Sequence, residues 1–263
     1  MTTSARAQDL PFVEGDASDL EVIFERPGLL DEQPNTFCYG CTYGTIAMLF
    51  AEVIEEMGIA EEVILVGGVG CYNNLDVQVD GCIAPHGRAP AYATALNRLY
   101  PDKIVFTMQG DGDLCSQGIS EAVGAAWRGE RFGIFFLNNS SIAMTGAQMS
   151  PTSILGQKTA TTPDGRELRE HGYPMQMTEM LATSPGVVYA ARTSVHNPAH
   201  IQRTKAAMRK TFEVIAEKRG MAVLEILSTC NSGWKMTPLE ALQWLEKNMI
   251  PTYPLGEIKA FEG

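Results

Sequence analysis

The sequence predicts an α/β fold, a single domain built on a parallel sheet with helices on both faces. Three observations point there. Residues 62–66, 103–108, 132–137, 187–191 and 221–227 form short, nearly continuous apolar runs, the pattern of strands buried on both faces rather than one. Most of the intervals between these runs carry apolar residues at helical spacing, which is the alternation that builds parallel sheets. Glycine and asparagine clusters stand directly after several of the runs, at the carboxyl ends where such sheets gather their ligand-binding loops.

Each element has its local reason. Residues 1–35 show little periodicity and are broken by Pro11, Pro27 and Pro34, so they are expected to form an extended arm that packs on a neighbouring subunit. The domain proper is expected over 36–263. Residues 43–57 (YGTIAMLFAEVIEEM) read as a helix capped by Gly58. The 62–66 strand runs into Gly67-Gly68-Val69-Gly70, and a helix over 89–100 is stopped by Pro101. The 103–108 strand opens onto Gly110-Asp111-Gly112-Asp113, followed by a helix over 116–128 closed by Gly129. The 132–137 strand ends at Asn138-Asn139. Residues 150–173, rich in Thr, Gly and charge, read as a long surface loop. Strand 187–191, helix 198–219, strand 221–227 and helix 238–248, with Pro238 in its first turn, complete the chain.

The 263 residues carry 31 acidic and 20 basic side chains, a net charge of -11, which repels phosphate backbones and speaks against nucleic acid as a partner. No apolar run reaches the roughly 20 residues that span a bilayer, and residues 1–9 lack a signal-type apolar segment. A cytoplasmic protein without membrane insertion is the expectation.

The chemistry concentrates at two strand tips. Adjacent parallel strands end on one edge of a sheet, so Asp111 and Asn139, 28 positions apart, are expected to converge. A carboxylate and an amide oxygen are hard ligands suited to Mg²⁺ or Ca²⁺. Gly110 and Gly112 let the backbone approach a bulky phosphate, and the helix expected from Ser116 would aim its amide-rich end there. The pattern is that of a metal-bridged diphosphate site.

These motifs resemble a known family. Phe37-Cys38-Tyr39-Gly40-Cys41, Gly68-Val69-Gly70-Cys71, Pro85-His86-Gly87-Arg88-Ala89-Pro90, Gln109-Gly110-Asp111-Gly112-Asp113, Met144-Thr145-Gly146-Ala147-Gln148, Leu155-Gly156-Gln157-Lys158-Thr159 and Leu227-Ser228-Thr229-Cys230 occur in its order over residues 30–258. The sequence is similar to the thiamine-diphosphate-binding beta subunits of 2-oxoacid:ferredoxin oxidoreductases, nearest the 2-oxoisovalerate and 2-oxoglutarate branches. The resemblance implies that Asp111, Asn139 and the Ser141 carbonyl ligate Mg²⁺. It implies that Val69, Gly70, Cys71, Tyr72, His86, Gly110, Gly112, Asp113, Ala143 and Met144 line thiamine diphosphate.

Cys38, Cys41, Cys71 and Cys230 supply four soft thiolates, which by spacing alone suit Zn²⁺ or an iron–sulfur cluster equally. The resemblance implies a 4Fe–4S cluster on them. It also implies CoA-dependent oxidative decarboxylation of a 2-oxoacid, leaning to branched-chain acids, with electrons leaving to ferredoxin or a similar acceptor. The partners implied are an alpha subunit and gamma- and delta-type subunits. No Glu of this chain sits in a motif for the carboxylate that thiamine enzymes use; the alpha subunit is expected to bring it. Against the family's Cys-Pro-Gly-Cys-Gly-His-Gly this chain has Cys38-Tyr39-Gly40-Cys41-Thr42-Tyr43-Gly44, and Tyr72 replaces the common Ser after Cys71. Asn231-Ser232 stand in place of Pro-Thr after Cys230, and Ser-Ser-Ile-Ala in place of Ala-Ile-Tyr-Gly after Asn139. These changes bear on cluster potential and substrate. A non-redox thiamine decarboxylase or synthase subunit, and a zinc-stabilised non-catalytic subunit, are the competing readings. Cys82, Cys115 and Arg88 receive no role.

Overall fold

The computed structural model describes residues 25–30, 36–74 and 77–260. Most of the arm expected over 1–35 lies outside the described residues. Its described piece rests on the chain's own domain: the Leu29 amide donates to the Glu55 carboxylate at 2.6 Å, and Leu30 bridges to Val77.

Among the described residues one sheet collects β1 (Val63–Gly67), β2 (Gly81–Ile83), β3 (Ile104–Gly110), β4 (Gly133–Asn138), β5 (Val187–Ser194), β6 (Met221–Leu227) and β7 (Gly256–Lys259) in the order β2-β1-β3-β4-β6-β5-β7. Every pairing is parallel except the outer β5–β7 pair. The five apolar runs are thus the central strands. The two edges, β2 and β7, escaped the sequence reading because they are short, largely exposed and carry no apolar run.

Helices α1 (Tyr43–Met57), α2 (Ala89–Leu99), α3 (Ile119–Trp127), α4 (Leu168–His171), α5 (Met177–Ala182), α6 (Pro198–Ala216), α7 (Asn231–Trp234), α8 (Pro238–Trp244) and α9 (Ile250–Thr252) surround the sheet. On one face α1 and α6 bury Phe50 and Phe212 against Phe106 and Phe135 of β3 and β4. Phe50 meets Phe135 edge-on at 4.6 Å and Phe212 meets Phe106 at 5.3 Å, contacts worth about 0.5–1.5 kcal/mol each beyond the area they bury. On the other face α2 and α3 set small residues, Ala89, Ala93, Ala122 and Ala126, and α5 sets Met177 and Leu181, against Val105, Ile134 and Val223. Both faces of the central strands are covered, as their composition requires.

Termini follow local chemistry. Gly58 takes φ 67° and returns its amide to the Glu55 and Ile54 carbonyls, stopping α1. Asn197 caps α6 by accepting from the His200 amide, and Thr237 with Glu240 forms a reciprocal capping box on α8. Two helices differ from expectation. The chain turns helical directly at the Gly-Asp-Gly stretch, widens into a π-turn over Asp113–Gln117, and only then becomes α3. After α8 a second π-turn, Leu245–Met249, carries the chain on into α9. Such widened turns collect at functional sites, and the first of these is at the strand tips of interest.

Candidate functional site

β3 and β4 pair in register with Gly110 opposite Leu137, so the Asp111 and Asn139 segments leave the same edge of the sheet side by side. They meet in one cleft. Asp111, Asn139 and Ser141 line it with Val69, Gly70, Cys71, Tyr72, His86, Gly110, Gly112, Asp113, Ala143 and Met144. Every residue assigned from the sequence to thiamine diphosphate or its cation therefore faces a single cavity. Tyr43, Ile142 and Thr145 complete its wall.

Asp111 is buried, and its carboxylate is held from several sides. Ser150 Oγ and Thr152 Oγ1 each donate to Oδ2 at 2.8 Å, and the Gly112 amide donates to Oδ1 at 3.0 Å. Burial nevertheless pushes its pKa up to about 6, and these donors only partly offset that. A dry carboxylate with neutral donors alone is a site where a divalent cation gains most, and oxygen ligands of this type fit Mg²⁺.

The Asn139 turn is equally constrained. Ser140 sits at φ 59°, a left-handed conformation rare for a residue with a side chain. Its amide donates to Asn138 Oδ1 at 2.9 Å, while its carbonyl accepts from Ser153 Oγ at 2.7 Å and Gln157 Nε2 at 2.9 Å. Asn139 Nδ2 donates to the Tyr43 hydroxyl at 3.2 Å. The stretch expected to be a surface loop is thus a strap under the site. Arg166, buried, closes it by donating to the carbonyls of Ser150, Pro151, Ser153, His171, Gly172 and Tyr173. Ser150, Thr152 and Arg166 were not singled out from the sequence, because nothing in a Thr- and Gly-rich stretch signals hydrogen bonds to residues remote in the chain.

Asp113 ties three loops together. Its carboxylate accepts from the Tyr72 hydroxyl at 2.5 Å, from the Val69 amide at 3.2 Å and from the Gly87 amide. Burial raises its pKa, against those hydrogen bonds and the nearby His86. A Cβ on Gly68 would stand 1.6 Å from Asp113 Oδ2, and one on Gly110 would stand 2.9 Å from the Tyr72 ring. These glycines make room for the carboxylate and the phenol. Tyr43 and Tyr72, two of the departures from the family wording, thus both enter the cleft and hold its loops.

The cysteines come from three loops: Cys38 and Cys41 before α1, Cys71 after β1, Cys230 after β6. Stitches between the loops bring them together. The Thr229 amide donates to Thr42 Oγ1 at 2.9 Å, Asn231 Nδ2 to the Tyr39 carbonyl at 2.9 Å, and Gly40 packs against Pro238. Burial lifts Cys41 to about 12, helped by the neighbouring Cys230, Cys38 and Cys71. Burial lifts Cys230 to about 11, opposed by the Gly233 backbone and the Ser141 hydroxyl. Cys71 is also raised, by burial, then Cys38 and Asp111. The three half-buried thiols feel one another, and Cys71 and Cys230 also feel the Asp111 carboxylate; Cys38 is exposed. Among the described residues no three His, Cys, Asp or Glu side chains are grouped as a single metal ion would need. Burial favours the protonated form of Cys41, Cys71 and Cys230, and a soft metal is the kind of ligand that would displace those protons.

The remaining residues stand apart. Arg88 pairs with Glu121 of α3, Cys82 is exposed on β2, and Cys115 is buried in the π-turn.

Residues 65–226 match the family described as thiamine pyrophosphate enzyme, C-terminal TPP binding domain. Ketoisovalerate oxidoreductase subunit VorA of Methanothermobacter thermautotrophicus is 37% identical over 91% of the chain and 51% of its own length, so the chain spans about half of that relative. 2-Oxoglutarate synthase subunit KorB of Methanocaldococcus jannaschii is 31% identical over 84% of the chain and 80% of its own length. The solved 2-oxoglutarate:ferredoxin oxidoreductase from Magnetococcus marinus superposes with a TM-score of 0.74 over 92% of this chain and 87% of that one, at 21% identity, a likeness of fold. On these matches, the chain belongs to the thiamine-pyrophosphate-binding family that contains the beta subunits of 2-oxoacid:ferredoxin oxidoreductases.

Proposed function

We propose that this chain is the cofactor-bearing beta subunit of a 2-oxoacid oxidoreductase, holding thiamine diphosphate through Mg²⁺ and a 4Fe–4S cluster beside it. The observation that carries the reading is the convergence of thirteen separately assigned residues on one cleft with Cys71 in its wall and the Ser141 hydroxyl reaching Cys230. When bound, thiamine diphosphate supplies the carbanion chemistry that decarboxylates 2-oxoacids, and an iron–sulfur cluster accepts the electrons singly.

The residues of this chain bind and position. Asp111, Asn139 and the Ser141 carbonyl would hold Mg²⁺; Gly112, Ala143 and Met144 would border the diphosphate and the ring system. Asp113 fixes the loops carrying Val69, Tyr72 and Gly87 against the cleft, with both carboxylate oxygens already engaged. Cys38, Cys41, Cys71 and Cys230 would hold the cluster. The exposed Cys38 and the 98%-exposed Tyr39 put one side of that group at the surface, where an electron acceptor of ferredoxin type can approach.

Among the described residues no carboxylate lines the cleft except Asp111 and Asp113, and both are occupied as described. We assign the activating carboxylate and most substrate contacts to an alpha subunit, with gamma- and delta-type subunits completing the complex, and CoA as acyl acceptor. Branched-chain 2-oxoacids are the preferred substrate class. No described helix is long and apolar enough to cross a membrane, and we place the complex in the cytoplasm.

The test is anaerobic purification with iron, sulfide and thiamine diphosphate assays, then a 2-oxoacid panel with the reconstituted complex. Brown protein with iron and sulfide, and CoA-dependent dye reduction only when the partners are present, is expected. Zinc in place of iron, or 2-oxoacid-dependent reduction by the purified single chain, would overturn the assignment.

A further inference from the structure

The first Asn of the Asn-Asn pair has no part in the reading above, yet it is fully buried and both ends of its amide are used. Asn138 Oδ1 accepts from the Ser140 amide at 2.9 Å, and Asn138 Nδ2 donates to Glu225 Oε1 at 2.7 Å. Glu225, on β6, is 1% exposed; its other oxygen accepts from Thr178 Oγ1 at 2.5 Å and from Arg192 Nε at 2.8 Å. Arg192, on β5 and also 1% exposed, forks onto Glu179 of α5 at 2.8 and 2.6 Å and donates to the Pro254 carbonyl at 3.1 Å.

We infer that the Arg192–Glu225 pair is a positioning device for the cation-holding turn, acting through Asn138. The inference rests on the reading that Asn139 and Ser141 hold Mg²⁺.

Three features carry it. Burying a carboxylate and a guanidinium is costly, and apolar residues of similar volume commonly serve stability as well or better, so the pair points to a demand for geometry. Its hydrogen-bonding is dense: Glu225 has three donors, and Arg192 makes four hydrogen bonds to three residues. Its direction is also defined. A carboxylate can only accept, so Glu225 forces the amide NH₂ of Asn138 toward itself and the amide oxygen toward the Ser140 N–H. That bond helps hold Ser140 in its left-handed conformation, and Ser140 lies between the two residues assigned to the cation. Neither Glu225 nor Arg192 lines the cleft. They are positioning residues: direct hydrogen-bond partners of metal ligands typically change affinity about 10–100-fold when lost, and this pair acts one step further out, through Asn138.

The test uses the full chain, with its natural partner subunits where they co-purify, and follows thiamine diphosphate binding calorimetrically as Mg²⁺ is titrated. Glu225→Gln keeps shape but turns an NH₂ against Asn138 or Arg192. It is expected to raise the Mg²⁺ concentration for half-maximal binding by about 10-fold or more, in protein whose circular dichroism is unchanged. The double variant Glu225→Gln with Asn138→Asp reverses donor and acceptor across the same contact and leaves an oxygen for the Ser140 N–H. It should return the requirement to within about threefold of the parent. A general loosening of the fold would lower the melting temperature without such a reciprocal rescue. Thr178→Val, which removes one donor from Glu225, serves if Glu225→Gln does not fold, with a shift of about threefold in the same direction. A Mg²⁺ requirement within twofold of the parent in the tested single variant, or no rescue in the double, overturns the positioning role while leaving the cofactor reading intact. Absence of Mg²⁺-dependent binding in the parent chain sinks both.

Discussion

The cleft has two halves built by different means. Around Asp111 and Asn139 the backbone comes off adjacent central strands, and nearly every polar atom has a partner before any ligand arrives. Around the cysteines the chain comes from three loops joined by a few side-chain stitches, with Cys38 exposed and its neighbours only half-buried. Oxygen groups are positioned by the sheet, thiols by loops. Under the proposed assignment the contrast places pre-organisation where ligand geometry is most demanding, since Mg²⁺ tolerates little distortion of its octahedron.

Substitutions can break or sharpen that contrast. The largest effect is expected for Asp111→Asn, which should weaken Mg²⁺-dependent thiamine diphosphate binding by about 100-fold or more, at the upper end of what an outer partner alone gives. The same change should not lower the melting temperature of the metal-free chain at pH 8. The sign follows from the raised pKa: a buried carboxyl shifted from 3.8 to about 6 costs stability as pH rises through that interval, and above it the cost is fully present. Added Mg²⁺ should therefore stabilise the parent and not the variant in thermal melts.

Next is Gly68→Ala. The added methyl would stand 1.6 Å from Asp113 Oδ2, so the three-loop tie must open, at about 2–3 kcal/mol by chemical denaturation. Tyr72→Phe is milder. It leaves the buried Asp113 without the phenol donor on Oδ2 and should cost about 1–2 kcal/mol, with weaker cofactor binding. The smallest effect on the fold is expected for Cys71→Ser, within about 0.5 kcal/mol in the metal-free chain, because its loop is little fixed by the thiol. Its iron content, measured after anaerobic reconstitution, should nonetheless collapse. If Cys71→Ser unfolded the metal-free chain while Asp111→Asn left Mg²⁺ binding intact, the two halves would be organised in the opposite way.

The halves also differed in how legible they were. The central strands announce themselves because burial on both faces forces unbroken apolar runs, and the Gly-Asp-Gly and Asn-Asn turns follow such runs directly. Placing Asp111 beside Asn139 needed only the rule that neighbouring parallel strands share an edge. What lay beyond reading was set by long-range hydrogen bonds. The Asp113–Tyr72–Gly87 tie joins residues up to 41 positions apart, and no periodicity encodes it. The π-turn at Asp113–Gln117 has the composition of an ordinary helix start, so the helix was expected later than it begins. The edge strands β2 and β7 are defined by their neighbours' unpaired backbone, since their own side chains are mostly exposed.

The strap from Ser150 to Arg166 has a consequence for how this chain can vary. Ser150 and Thr152 reach Asp111, Ser153 and Gln157 reach Ser140, and Arg166 gathers the carbonyls on either side. One residue inserted or deleted between Ser150 and Gln157 would put these groups out of step with both strand tips at once. A stretch with the composition of a spacer is therefore fixed in length, and drift in loop size has to be accommodated elsewhere on the surface.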